Sequence, residues 1–300
     1  MSISLNIFFM FLFGTILCSG HEGLINLVTI NALLQLGLFT FIACIPFLKT
    51  RRVSYVDIAW PFGVALIGLQ IILFGDAELW RKLIIGGIYL FIGLRMGVGA
   101  VVFAKKTGVI FKTEFPRYQY RRMLLEQKGS NQVELHLLAE IWAQGAANIT
   151  ALALPGFLIA IRPDADLSYI EIVGISLWAL AYVIESIADG QKLYFSTKNA
   201  KGVCNIGLWK YSRHPNYFAE WLVWTGVVVA SLPSLMALNV TPMIWWIITL
   251  GTLSASLMLY ITLVYLTGAK PAEYYSARKR SGYREYQDKT NMFFPWFPRS

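Results

Sequence analysis

Charge is scarce in this chain: Asp, Glu, Lys and Arg make up 14% of its 300 residues, against roughly a quarter in soluble domains. Cysteine is scarce too. Cys18, Cys44 and Cys204 are the full set, two of them in apolar stretches, which excludes a disulfide scaffold and any cysteine-rich metal cluster. The three histidines, His21, His136 and His214, are widely scattered, so no metal site is expected. No G-x-G-x-x-G follows a strand pattern and no G-x-x-x-x-G-K-[ST] occurs, which leaves Rossmann and P-loop cofactor modes without support. Internal repeats and low-complexity runs are missing as well.

Apolar residues, by contrast, reach 56%, and mean hydropathy is +0.55. Eight nearly charge-free segments run over about 3–19, 24–48, 55–74, 83–103, 136–161, 168–188, 216–236 and 240–267, each near the ~20 residues that cross a bilayer as helix. The first has neither a basic leader nor an A-x-A-like cleavage site and is read as a helix rather than a signal peptide. The expected fold is all-α, a polytopic transmembrane helical bundle of about eight spans.

The basic residues are sorted by side. The connection 49–54 carries Lys49, Arg51 and Arg52, and 104–135, 189–215 and 268–300 each net +4. The other connections hold Arg81, Lys82 and Arg162, and Arg95 lies inside a span, so 22 of the 26 basic residues fall on one side. The positive-inside rule then puts both termini in the cytoplasm, in a bacterial inner membrane or the endoplasmic reticulum. The net +9 is a topology signal and gives no support for nucleic-acid binding.

Ionisable groups inside spans are functional candidates by default; here they are Asp57, Arg95, Glu140, Glu171, Glu185 and Glu220. Glu140 and Glu171 lie near segment ends and read as interfacial. Asp57, in RRVSYVDIAWPFG, is either a helix N-terminal carboxylate near Arg51 and Arg52 or a chemical group. Arg95 lies about 13 Å deep at 1.5 Å per residue and needs a partner, either Asp57 or a bound phosphate. Glu185, Asp189 and Lys192 in ESIADGQK share a helix face. In GLWKYSRHPNYFAEW, Ser212 suits an N-cap, Pro215 a first helical turn, and Asn216 and Glu220 share a face. Such a helix start, flanked by Lys210, Arg213 and His214, is an anion site by backbone geometry and dipole.

These blocks, with SGYREYQDKTNMFFPWFP downstream and SYVDIAWPFG, FIGLR, TEFPRYQYRRMLLEQKG and WAQGAANITALALP upstream, resemble the steroid 5-alpha-reductase-like family, in particular its bacterial-type branch. The likeness covers about residues 50–298 and leaves 1–49 as additional N-terminal transmembrane helices. It implies a seven-helix core that holds NADPH on its cytoplasmic half and takes an apolar substrate from the bilayer, as a monomer in contact with membrane lipids. It places Arg95, Glu185, Asp189, Tyr211, Arg213, His214, Asn216, Tyr217, Glu220, Tyr283 and Tyr286 on cofactor-side positions, and Lys105, Lys106, Arg117 and Lys198 near the phosphates. Asp57, with Tyr55 beside it, falls near the carboxylate that polarises the substrate ketone in the steroid reductases. One position departs: those enzymes carry a tyrosine three residues before the arginine matched by Arg95, and this chain has Ile92. The carboxylate–tyrosine acid pair is therefore not expected, and neither is a steroid substrate.

The function expected is NADPH-dependent reduction of a carbon–carbon double bond in a hydrophobic enone, isoprenoid or sterol-like. The RHPNY block also resembles that of isoprenylcysteine carboxyl methyltransferases, so an S-adenosylmethionine-dependent lipid methyltransferase is the rival enzyme. A non-catalytic lipid-binding membrane protein is the third class, and it leaves the inward polar cluster without a purpose.

Overall fold

The computed structural model describes residues 2–164, 166–199 and 201–299. It is 77% helical, with no strands among the described residues. Among the described residues, seven helical stretches are long and apolar enough to cross a membrane: Glu22–Thr50, Val56–Phe74, Leu79–Thr107, Val133–Ala160, Tyr169–Lys198, Pro215–Met236 and Pro242–Lys279. The eighth expected span is shorter. Helix α1 covers Ser2–Leu17, 16 residues, or about 24 Å at 1.5 Å per residue, less than the ~30 Å hydrocarbon layer.

The chain divides into two compact units. The first comprises Met1–Glu171 with Ala230–Ala255, so the residues before position 50 belong to it. Its frame is α2 (Glu22–Phe39), α4 (Val56–Phe74), α5 (Leu79–Thr107) and α7 (Val133–Ile149). Helices α4 and α5 meet at small residues: a Cβ on Gly93 would lie 2.3 Å from the Ala65 nitrogen, and one on Gly68 2.5 Å from the Gly86 carbonyl oxygen. With only hydrogen there, the backbones close to direct contact, the usual way helices gain packing in lipid.

The stretch 136–161, expected as one span, is broken. Helix α7 ends at Ile149, and α8 (Leu154–Ala160) restarts after a turn, with proline in its first turn. Backbone freed inside a membrane must find partners within the protein, and two side chains supply them. Asn31 Nδ2 donates to the Asn148 and Ile149 carbonyls at 2.9 and 3.1 Å. The Tyr89 hydroxyl stands between Leu152 O, to which it donates at 2.7 Å, and Gly156 N, from which it accepts at 3.1 Å. It thereby bridges the i→i−4 bond that the turn has opened. Asn148 Nδ2 donates to Gln35 Oε1 at 3.3 Å and to Trp60 O at 3.0 Å, while Gln35 and Gln70 both donate to Asn31 Oδ1. All four amides are buried.

Glu171, in the first turn of its helix, is turned into the protein. It is 1% exposed and pairs with the buried Arg81, whose Nη2 also donates to the Asp164 and Asp166 carbonyls at 3.1 and 2.6 Å. Glu140 is half-buried in a forked pair with Arg121 of α6 (Pro116–Gln127).

The second unit comprises Ile172–Val229 and Ser256–Ser300. It holds most of α9 (Tyr169–Lys198), the start of α10 (Pro215–Met236), the end of α11 (Pro242–Ile261), and the short helices α12 (Ala269–Lys279) and α13 (Tyr283–Lys289). Within this unit, α9 and α10 approach closely at Gly226, where a Cβ would meet Trp178 N at 2.7 Å and Gly174 O at 2.8 Å. Beyond Ile261 the helix widens into a π-turn, Thr262–Leu266.

Candidate functional site

In the first unit the site is built around the start of α4. Glu114, in the segment before α6, fixes the turn that leads into that start: its carboxylate accepts from Val53 N at 2.7 Å, Ser54 N at 3.0 Å and the Ser54 hydroxyl. A carboxylate at a helix N-terminus satisfies orphan N–H groups and complements the dipole. Asp57 sits in the first turn so fixed. Its Oδ1 receives the Tyr118 hydroxyl at 2.9 Å and the Arg117 guanidinium at 2.8 Å, while Oδ2 is buried and has no hydrogen-bond partner.

The ion partner of Asp57 is therefore Arg117, from outside the spans, where the sequence pointed to Arg95. Arg117 also lies over the Phe115 ring at 4.4 Å. Asp57 and Tyr118 thus form a carboxylate–tyrosine pair of a different origin, while position 92 holds isoleucine. Burial, with the Asp57 carboxylate beside it, holds the Tyr118 hydroxyl well above its ordinary pKa, so it stays protonated and donating. Tyr118 was not singled out from the sequence; its only signal was adjacency to Arg117 in PRYQYRR. Tyr55 stands at the α4 N-cap position, its hydroxyl accepting from Arg52 at 2.9 Å. Arg95 is half-buried midway along α5, and Lys105 and Lys106 are exposed in its last turn.

In the second unit, Arg213 is 8% exposed and its guanidinium is committed. Nε and Nη2 fork onto Glu273 at 2.6 and 3.1 Å, and Nη1 donates to the carbonyls of Gln287 and Thr290. Glu273 also accepts from His214 Nε2 at 3.1 Å and Gln287 Nε2 at 2.7 Å. Ser212 Oγ donates to Phe293 O at 2.9 Å, Arg213 N to Asn291 O at 2.8 Å, and the Tyr286 hydroxyl to Trp209 O. Arg213, expected on the cofactor side, clamps the C-terminal tail to the segment preceding α10. Glu273, unremarked in the sequence, is the centre of that clamp. Tyr283 and Tyr286 are buried, and burial pushes both phenols above their ordinary range.

The clamp presents one polar face. His214 stacks on Tyr217, ring centroids 5.2 Å apart and nearly parallel, and burial lowers its pKa. Asn216 Nδ2 donates to Asp189 at 3.1 Å, while Asn216 Oδ1 is buried with no hydrogen-bond partner. Glu185 is buried and Glu220 half-buried. Tyr211 is exposed, its ring edge-on to Phe297 at 5.9 Å, and Lys198 donates to the Tyr194 hydroxyl at 2.6 Å. Among the described residues no group of His, Cys, Asp and Glu is placed to hold a metal ion. The structure brings Asp189 and Asn216 together as one face, and His214 and Tyr217 as one stack.

Fold and site define an integral, multi-pass helical membrane protein with polar clusters at helix starts. Comparison with known proteins then places it: the chain belongs to the family described as "Protein of unknown function (DUF1295)", which matches residues 22–290. It is also similar to an uncharacterized protein of Schizosaccharomyces pombe, 28% identical over 144 residues. That match covers 41% of this chain and 38% of the relative. No solved structure matches.

Proposed function

We propose that the protein is an NADPH-dependent reductase of a carbon–carbon double bond in a hydrophobic enone, isoprenoid or sterol-like, and a member of the steroid 5-alpha-reductase-like group. The observation that carries this reading is the Asp57–Tyr118–Arg117 triad, with one buried carboxyl oxygen unpartnered. A polar atom left in that state costs about 1–3 kcal/mol; in the proposed reactive form Asp57 is the neutral acid with its proton on Oδ2, and the cost is relieved when a substrate carbonyl oxygen accepts that hydrogen bond. Hydride adds to the β-carbon, the π electrons move to the carbonyl oxygen, and the proton from Asp57 neutralises the enolate. Arg117 and the Tyr118 hydroxyl stabilise the carboxylate left behind. The nicotinamide supplies the hydride. Within the second unit, the polar face of Asn216, Asp189, Glu185 and Glu220, with the basic residue Lys198, would hold the cofactor, while Arg213, Tyr283 and Tyr286 shape the segment that presents it.

The test is NADPH consumption by detergent-purified protein offered polyprenyl and sterol enones. Consumption that needs both protein and enone, and that yields the saturated ketone, supports the reading. Methyl transfer from S-adenosylmethionine to a lipid acceptor, without NADPH consumption, overturns it.

A further inference from the structure

The second unit contains a cavity of about 270 Å³, walled by Tyr260, Val264, Tyr265, Asn291, Phe293 and Phe294. Half of its wall is the π-turn Thr262–Leu266 and the end of α11; π-turns are frequent where helices are reshaped for a function. The other half is the tail, whose path is set by Ser212 and by Arg213 N through the carbonyls of Met292, Phe293 and Asn291. The lining is aromatic, and behind it Trp221 packs edge-on against Tyr260 and Phe294 at 6.2 and 5.8 Å. The Trp221 indole N–H is buried without an acceptor. Two of the lining aromatics are uncovered, Tyr265 at 47% and Phe294 at 50% exposed, and the tail continues into the exposed Trp296 (69%) and Phe297 (74%). Such a cluster is the composition of a membrane–water interface.

Two cations each contact a residue that lines this cavity. Lys270 Nζ lies 4.7 Å over the Tyr265 ring, and Arg299 Nη2 donates to Asn291 Oδ1 at 3.4 Å. Both side chains are exposed. An apolar recess with a basic rim at an interfacial aromatic belt matches an amphiphile with an apolar end and an anionic head. We propose that the cavity binds an acidic phospholipid from the adjoining leaflet, its acyl end against Tyr260, Val264 and Phe293 and its phosphate between Lys270 and Arg299. This site is separate from the reductase chemistry and does not depend on it. Because the tail is the cavity wall, a bound lipid would tie the Arg213–Glu273 clamp to the membrane.

Native mass spectrometry of the full-length protein in detergent tests this, with phosphatidylglycerol and phosphatidylcholine of identical acyl chains as probes. One phosphatidylglycerol per chain is expected to survive detergent that strips phosphatidylcholine, with affinities differing by about tenfold or more, the scale set by two basic groups near an anionic head. Val264→Trp should abolish retention by filling the cavity. The surface variant Lys270→Gln/Arg299→Gln, which leaves the core untouched, should bring phosphatidylglycerol down to the phosphatidylcholine level. Equal retention of the two lipids, or unchanged phosphatidylglycerol retention in the double charge variant, overturns the proposal. So does competition by glycerol phosphate as strong as that by the whole lipid, which would make the site a soluble-anion site.

Discussion

Asp57 occupies the first turn of α4, where a carboxylate complements the helix dipole. Tyr118 and Arg117 hold one oxygen and leave the other unsatisfied. On the reductase reading, Asp57→Asn should fold and bind cofactor normally yet lose turnover by roughly the 10²–10⁴-fold typical of acid–base groups. Tyr118→Phe should lose less, about 10–100-fold, the equivalent of one charge-assisted hydrogen bond. A variant that loses folding and cofactor binding together would make Asp57 scaffold, whereas retained turnover would remove the proton donor. His214 carries a different prediction. Burial holds its pKa below the ordinary ~6.5, so the unfolded chain binds the proton more readily. Stability from this residue is full above about pH 6.5 and declines as pH falls below it. Thermal unfolding in detergent followed across that window should show the decline, and His214→Asn should flatten it. A rise in stability on acidification would instead mean that Glu273 holds a protonated imidazolium.

At the scale of elements, spans were legible in the sequence because a bilayer imposes a length and an apolar composition on each one. The break in 136–161 was not. The groups that stabilise it, Asn31 and Tyr89, lie 117 and 63 residues from the carbonyls they engage, and a composition count of the span does not include them. Likewise Asp57 was singled out as an ionisable group inside a span, but its partner Tyr118 is 61 residues away on another helix. Glu273 was passed over because it lies outside the motif whose arginine it binds. Two substitutions test these elements. Tyr89→Phe removes the hydroxyl between Leu152 O and Gly156 N and should cost about 1–3 kcal/mol through two unpaired backbone groups. Gly93→Val places side-chain carbon against the Ala65 backbone and should separate α4 from α5. Both effects can be read as loss of thermal stability in detergent, and wild-type stability in either variant would refute the packing described.

For the whole molecule, the 22 basic residues gathered on one set of connections predict that residues 130 and 200 face the same, cytoplasmic side. Cysteine-accessibility labelling of single-cysteine variants at these positions should report one side, and opposite sides would break the topology. The central claim, that this membrane protein works with NADPH, is tested most directly by calorimetry on the detergent-purified chain. Saturable NADPH binding that weakens when Asn216 is changed to alanine, with no binding of S-adenosylmethionine, is the predicted result; tight S-adenosylmethionine binding with no NADPH binding would contradict it.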